Sequence, residues 1–143
     1  MTVSVILSTK GSEVFTIEPT ATLETAIHIL ADRRIGALVV LGADRRLIGI
    51  LSERDIVRAL AEQGAAALNE KLSHVMTRKV HTCTPAETVS VIMERMTTGK
   101  FRHIPVLEHE QLVGLVSIGD VVKHRLTEME RESAALRDYI QTA

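Results

Sequence analysis

The amino-acid sequence contains an internal repeat, and this repeat constrains the fold more than any other feature. Residues 19–23 (PTATL) align with residues 85–89 (PAETV), an offset of 66 positions. One residue is lost in a later loop, after which residues 47–57 align with residues 112–122. Each copy is about 55 to 60 residues long, which is too short to bury a good hydrophobic core alone. We therefore expect two related halves that pack face to face around a shared core.

Hydrophobic periodicity predicts the order strand, helix, strand, strand, helix in each copy. In the first copy, apolar residues recur at three- and four-residue spacings over Leu23–Leu30, as on the buried face of an amphipathic helix. Apolar runs at 38–41 and 47–51 follow and predict a hairpin. In the second copy, Thr84–Glu87 has the pattern of a capping box, which predicts a helix beginning at Pro85.

The repeat also sets the expected boundaries. We predict a first motif at 1–63, a linker at 64–71, a second motif at 72–126 and a C-terminal helical extension at 127–143. The predicted fold class is α/β (α+β), with two pseudo-twofold β-α-β-β-α motifs packed sheet to sheet and an extended C-terminal helix.

The most specific motif is a Gly-x-x-Ser-x-x-Asp turn that occurs once in each copy. It spans Gly49–Asp55 and Gly114–Asp120, where an apolar strand leads into a helix. A structural explanation is a capping box, in which the serine is the N-cap and the aspartate reaches back to it. A functional explanation is a ligand site, because a helix N-terminus attracts anions and a neighbouring carboxylate can accept both hydroxyls of a ribose. The residues alone leave both explanations open, and the duplication favours two related sites.

The whole pattern resembles a tandem pair of cystathionine-β-synthase (CBS) domains, a stand-alone Bateman module. The resemblance covers about Val3–Leu126 and rests on the duplicated element order, on both serine–aspartate turns, and on residues 34–40 (RIGALVV) and 102–106 (RHIPV). It implies that an adenosyl ligand (AMP, ADP, ATP, NAD or S-adenosylmethionine) binds in the cleft between the two halves. Occupancy would regulate an attached or partner protein, and the chain would not be an enzyme.

The resemblance further implies which residues bind the ligand. Asp55 and Asp120 would hold ribose hydroxyls, while Ser52 and Ser117 would bond near the ribose or phosphate. Each site would be completed by the other repeat. Residues implied around the adenine of the Asp120 site are Ile35, Gly36 and Ala37, with Lys10–Ser12 nearby. Residues implied for the Asp55 site are Thr77, Val80, Phe101, Arg102 and His103.

The two sites differ in the cations that could bind phosphate. Arg54 precedes Asp55, whereas Gly119 precedes Asp120. The basic pair 102–103 begins a central strand at a position where the first copy has glycine and alanine. We therefore expect unequal sites, with the Asp55 site better furnished for phosphate. For Arg54, the alternative is a solvated arginine in the first turn of a helix.

Composition and charge argue against several other functions. The 143 residues carry 17 basic and 18 acidic side chains and three aromatic rings, so we expect neither a basic surface nor a stacking platform for nucleic acid. No apolar run is long enough for a bilayer, and the single Cys83 predicts a buried apolar residue in a reducing, cytoplasmic compartment. The histidines lack metal-ligand spacing, and no glycine-rich phosphate or dinucleotide loop is present. No metal site and no transfer reaction is predicted.

The C-terminal segment predicts a helix longer than the motif requires. A series of residues, apolar except for one serine, follows at alternating four- and three-residue steps, with charged residues between them: Val122, Leu126, Met129, Ser133, Leu136 and Ile140. This face either packs on its own domain or contacts a second copy in a homodimer, which we favour. The sequence thus predicts a regulatory homodimer that binds an adenosyl ligand and acts on an unidentified protein partner. The alternative is a structural dimerisation module with empty clefts.

Overall fold

The computed structural model describes residues 1–142, which form two sets of helices and short strands. The helices are Val3–Lys10 (α1), Leu23–Arg33 (α2), Glu53–Gln63 (α3), Leu72–Val75 (α4), Val89–Gly99 (α5) and Ile118–Thr142 (α6). The strands are Thr16–Ile17 (β1), Ala37–Leu41 (β2), Leu47–Ser52 (β3), His103–Glu108 (β4) and Gln111–Ser117 (β5). This mixed α/β architecture, with two small sheets and a long C-terminal helix, confirms the predicted fold class.

The chain divides into two compact units, and each unit combines one copy of the repeat with a segment that precedes the other copy. Unit 1 contains Met1–Ser12 together with the chain from Thr82 onward, and unit 2 contains Glu13–His81. Helix α1 therefore packs with the second copy, and α4 packs with the first. The motif boundaries at 1–63 and 72–126 stay a prediction about the repeat, because packing exchanges the segment in front of each copy.

Each unit has its own sheet and its own core. In unit 2, β1 pairs in parallel with β2, which pairs antiparallel with β3. In unit 1, β4 and β5 form an antiparallel hairpin, and Cys83 makes a single parallel bridge to Val106. The buried apolar side chains form two clusters, one in each unit. Each of these clusters includes side chains of a helix from outside the unit's own repeat, namely α1 in unit 1 and α4 in unit 2. The shared core stays a prediction.

Helices α1 and α4 hold equivalent positions in their units. The N–H of Val3 donates to the carbonyl of Glu87, and the N–H of Leu72 donates to the carbonyl of Ala21, both at 2.9 Å. Glu87 and Ala21 are matching positions of the repeat. The two segments therefore occupy the same position in their units, directly before the first helix of each copy, which is α5 in unit 1 and α2 in unit 2. We call residues 3–10 of unit 1 and residues 72–77 of unit 2 the closing segments.

Two glycines allow the closing segments to approach the sheets. A Cβ added to Gly114 would lie 2.6 Å from Cδ2 of Leu7, and a Cβ added to Gly49 would lie 2.5 Å from Sδ of Met76. These are the glycines that open the two Gly-x-x-Ser-x-x-Asp motifs. Close packing against a closing segment therefore explains why the motif begins with glycine.

Helix α5 begins four residues later than the sequence predicts. The side chain of Glu87 does accept a hydrogen bond from the N–H of Thr84, at 2.7 Å. However, Thr88 is the N-cap and Val89 is the first helical residue. The predicted start at Pro85 is wrong because the carbonyls of Pro85 and Glu87 accept hydrogen bonds from α1 and so do not serve the helix.

The position of α1 leads to a stability prediction. The side chain of Ile6 is fully buried in unit 1, so the substitution Ile6→Ala should lower the free energy of unfolding by about 3 kcal/mol. Val5 on the same helix is 41% exposed, so Val5→Ala should change it by about 0.5 kcal/mol or less. Urea denaturation followed by circular dichroism measures both. Equal, small losses in the two variants would contradict the packing of α1 in unit 1.

Candidate functional site

The serine–aspartate turn of unit 1 lies where β5 ends and α6 begins. The N–H of Asp120 donates to Oγ of Ser117 at 3.1 Å, and Oδ2 of Asp120 accepts from the N–H of Ser117 at 2.9 Å. These reciprocal bonds form the capping box that the sequence predicts. Nζ of Lys10, at the end of α1, donates to the same Oδ2 at 2.7 Å and to the carbonyl of Leu115 at 2.9 Å. Among residues 1–142, no donor reaches Oδ1.

The ionisation of Asp120 follows from these contacts. Burial by itself would raise the pKa of the carboxyl group, but the hydrogen bonds from Lys10 and Ser117 and the charge of Lys10 outweigh that effect. The pKa of Asp120 therefore lies below its ordinary value. The group is a carboxylate at neutral pH, it is paired with an ammonium, and 23% of its side chain is exposed.

The matching turn of unit 2, between β3 and α3, holds its carboxylate differently. Oδ2 of Asp55 accepts from the N–H of Ser52 at 2.9 Å and from its hydroxyl at 3.1 Å. Oδ1 accepts from the hydroxyl of Thr77 at 2.8 Å, and the guanidinium of Arg58 lies 3.5 Å away. Only 2% of Asp55 is exposed. Both oxygens of this carboxylate are thus occupied by groups of its own unit.

Thr77 and Lys10 make equivalent contacts with different chemistry. The N–H of Thr77 donates to the carbonyl of Ile50 at 2.9 Å, while its hydroxyl donates to Asp55. The position that matches Ile50 in the repeat is Leu115, whose carbonyl accepts from Lys10. In unit 1, the single ammonium of Lys10 therefore bonds to a carbonyl and a carboxylate. In unit 2, Thr77 bonds to the equivalent two groups with its backbone N–H and its hydroxyl.

The predicted adenine-contacting residues lie at the starts of β2 and β4. Ala37 pairs with Ser52, and the carbonyl of Gly36 accepts from the N–H of Glu53 at 3.2 Å. Ile35 directly precedes this pair, so residues 35–37 lie beside the turn of Asp55 within unit 2.

Unit 1 has the same arrangement. His103 pairs with Ser117, and the carbonyl of Arg102 accepts from the N–H of Ile118 at 2.7 Å. Phe101 directly precedes them, so residues 101–103 lie beside the turn of Asp120. The resemblance assigns these residues crosswise, to the aspartate of the other repeat, and that assignment stays a prediction.

Two further predicted residues belong to unit 2. Arg54 lies exposed in the first turn of α3, beside Asp55. Val80 is half-buried and follows Thr77 by three positions. Sequence reasoning placed Lys10 near Asp120 but assigned it no contact, because nothing in the sequence shows that α1 ends against β5.

The surroundings of Cys83 determine the state of its thiol. Cys83 is 3% exposed, which confirms the prediction of a buried apolar residue. Burial raises the pKa of its thiol to about 12, the charge of Glu87 adds to the rise, and Arg95 opposes it. Cys83 is therefore a neutral thiol at neutral pH.

Residues 1–142 contain no group of three or more His, Cys, Asp or Glu side chains that could hold a metal ion. None of the helices in this range is long and apolar enough to cross a membrane.

Comparison with known proteins identifies the pattern. The family model described as "CBS domain" matches residues 6–62 and 72–127. The chain is similar to a CBS-domain containing protein of Agrobacterium tumefaciens of known crystal structure, with 45% sequence identity and a TM-score of 0.85. That similarity covers 87% of this chain and 92% of the other.

Two more relatives carry information on length and ligands. A CBS domain-containing protein of Arabidopsis thaliana, CBSX3, named as mitochondrial, is 38% identical over 84% of this chain, which spans 60% of that protein's length. The CBS domain pair of protein MJ0100 was crystallised with 5'-methylthioadenosine and S-adenosyl-L-methionine. It is 25% identical, with a TM-score of 0.77 over 86% of this chain and 98% of the other.

The contacts of the two carboxylates predict different structural roles. Asp55→Ala removes the acceptor of three hydrogen bonds from a buried position, so it should lower the free energy of unfolding by about 3 kcal/mol. Asp120→Ala should cost about 1 kcal/mol, because the ion pair with Lys10 that it removes is partly exposed to solvent.

Urea denaturation without ligand measures these losses. The matched control is Asp32→Ala at an exposed position of α2, which should change the free energy of unfolding by about 0.5 kcal/mol or less. A loss at Asp120 as large as that at Asp55 would contradict the difference between the two turns.

Proposed function

Because the chain belongs to the CBS domain family, we propose that it is a non-catalytic regulatory module that binds adenosyl ligands at its serine–aspartate turns. The ligands would be of the AMP, ADP, ATP or NAD type, and occupancy would be signalled to a protein partner. A module that responds to the balance of AMP and ATP would act in energy sensing. The lone buried cysteine is consistent with a reducing compartment such as the cytoplasm.

The observation that carries this proposal is the state of Asp120. It is an ionised carboxylate at the start of α6, its Oδ1 accepts no hydrogen bond from residues 1–142, and part of its side chain is exposed. A ribose presents two adjacent hydroxyl donors, which suit such an acceptor. The first-turn N–H groups of α6 suit the anionic end of a nucleotide. The ligands of the MJ0100 domain pair are adenosyl compounds, which supports the same ligand class here.

Signalling needs a difference between the empty and the occupied state. A ligand shifts a conformational equilibrium only by the ratio of its affinities for the two conformations. In unit 1, the closing segment reaches the binding carboxylate directly through Lys10. Binding at Asp120 would therefore act on α1, and a partner protein would sense the altered packing of that helix.

A homodimer is the second part of the proposal, and it is supported by α6. The side chains of Leu126, Met129, Leu136 and Ile140 are between 50% and 64% exposed. Their spacing places them on one face of the helix, flanked by charged residues, as at the contact between paired helices. An apolar stripe of this length suits a second copy of the chain that presents the same stripe. A dimerisation module without ligand remains the alternative function.

Ligand binding is tested by thermal unfolding. An adenosyl ligand at one hundred times its dissociation constant should stabilise the chain by about 2.7 kcal/mol and raise the melting temperature. The ligands to titrate are AMP, ADP, ATP, NAD and S-adenosylmethionine. Asp120→Ala should lose the response, and Asp32→Ala should keep it. If no ligand shifts the transition, the chain is no adenosyl sensor, and turnover of any ligand would contradict a non-catalytic role.

The dimer is tested by light scattering after size-exclusion chromatography. The wild type should elute with a mass near twice 15.7 kDa. Leu126→Glu combined with Leu136→Glu should give the monomer mass, because each buries a charge in the apolar contact. Glu130→Gln combined with Glu132→Gln changes charge on the same helix outside the stripe and should leave the dimer intact. A monomeric wild type would overturn the proposal.

A further inference from the structure

The two motif aspartates are equivalent in sequence but differ in how readily a ligand can reach them. Asp55 is fully buried, and its oxygens accept from Ser52 and from Thr77. Thr77 itself is fixed by two backbone hydrogen bonds to Ile50, at 2.9 and 3.0 Å. A ribose could take this carboxylate only by displacing a group that is fixed to the sheet. The carboxylate of Asp55 is therefore closed by its own unit.

Asp120 is held by a group that can leave without disturbing the backbone. Lys10 reaches it with a flexible four-carbon side chain, 34% of which is exposed. No backbone hydrogen bond breaks when the ammonium moves away, because both of its bonds come from Nζ. The neighbouring Oδ1 is already open among the described residues. Of the two carboxylates, only that of Asp120 is ready for exchange with a ligand.

We propose that Lys10 determines the ligand specificity of the Asp120 site. Its ammonium leaves the carboxylate of Asp120 and forms an ion pair with the phosphate of the bound nucleotide. In the empty site, Lys10 neutralises Asp120. When ribose hydroxyls bind the carboxylate, the ammonium turns to the phosphate of the same ligand. The inference rests on the proposed function and refines it, since it names phosphorylated adenosyl compounds as the preferred class and Asp120 as the principal site.

The preference for phosphate follows from charge. Without Asp120, the ammonium of Lys10 keeps only the carbonyl of Leu115 as a partner, and a half-buried cation that loses its counter-charge is destabilised. A phosphate restores the ion pair, whereas an uncharged ligand such as adenosine cannot. The turn itself offers no cation at the position before the aspartate, because Gly119 stands where the other copy has Arg54. Lys10 supplies that charge from a distant part of the sequence.

This order of the sites differs from the order expected from the sequence. Neighbouring cations favoured the Asp55 site, because Arg54 adjoins the aspartate. That expectation rested on Arg54 and on the basic pair 102–103, and it assigned Lys10 no contact with Asp120. Access to the carboxylate and the position of Lys10 favour the Asp120 site instead.

Isothermal titration calorimetry with AMP and adenosine tests the role of Lys10. Lys10→Met should weaken AMP binding about tenfold, because it removes one charge-assisted contact with phosphate. The same variant should bind adenosine as tightly as the wild type or more tightly, since no ammonium competes for Asp120. Lys10→Arg should retain the preference for AMP. The control Arg131→Met removes a positive charge from α6 eleven residues beyond Asp120, about 16 Å along the helix, and should change neither affinity.

The outcomes separate this inference from the proposed function. If the wild type binds neither compound, the proposed function fails. If the wild type binds AMP and the ratio of AMP to adenosine affinity is unchanged in Lys10→Met, the role of Lys10 is overturned while the binding function stands. The same holds if Asp120→Asn binds AMP like the wild type while Asp55→Asn does not. Should Lys10→Met unfold, Lys10→Gln keeps a donor without the charge and gives the same comparison.

Discussion

The structure depends on the exchange of the closing segments between the two copies of the repeat. A single copy offers a helix and a hairpin whose apolar faces lack a cover. The cover comes from residues 3–10 for one unit and from residues 72–77 for the other, through matching backbone hydrogen bonds to the motif. Gly49 and Gly114 favour this contact, since an added Cβ would lie within 2.6 Å of Met76 or Leu7 and that side chain would have to move. The same segments place Thr77 and Lys10 beside the two aspartates, so the packing that completes each core also determines the surroundings of each carboxylate.

Duplication has left the frame of the turn unchanged while its surroundings diverged. In both units, the aspartate accepts from the N–H of the N-cap serine at 2.9 Å, which stabilises the start of a helix. The capping role and the proposed binding role are therefore compatible in one residue. The difference lies in the second contact, which is a fixed hydroxyl at Asp55 and a movable ammonium at Asp120. A family motif alone cannot reveal this difference, because both copies read Gly-x-x-Ser-x-x-Asp.

The sequence predicts most of the fold because the repeat and the periodicity are local signals. The buried face of α2 and both capping boxes at Ser52 and Ser117 follow the prediction. The closing segments were not predictable in this way. Val3 in unit 1 and Leu72 in unit 2 hold equivalent positions, which corresponds to an offset of 69 residues. The repeat itself has an offset of 66, so aligning the two copies does not pair the closing segments. The late start of α5 has the same origin, since contacts with α1 override the local capping signal.

If the proposed function holds, the charge balance of the chain makes the Lys10 contact important for it. With 17 basic and 18 acidic side chains, the protein has no excess of positive charge to attract phosphate, so recognition must come from individual groups. If Asp120 binds ribose as proposed, the ammonium that neutralises it becomes available to phosphate only after the ribose has bound. Under this proposal, neither half of a nucleotide alone would gain the full interaction. Ribose without phosphate would leave the ammonium of Lys10 without a counter-charge, and phosphate without ribose would have to separate the existing ion pair. The proposed site would require both halves together. Because Lys10 ends α1, it would signal their joint presence to the helix that completes the core of unit 1.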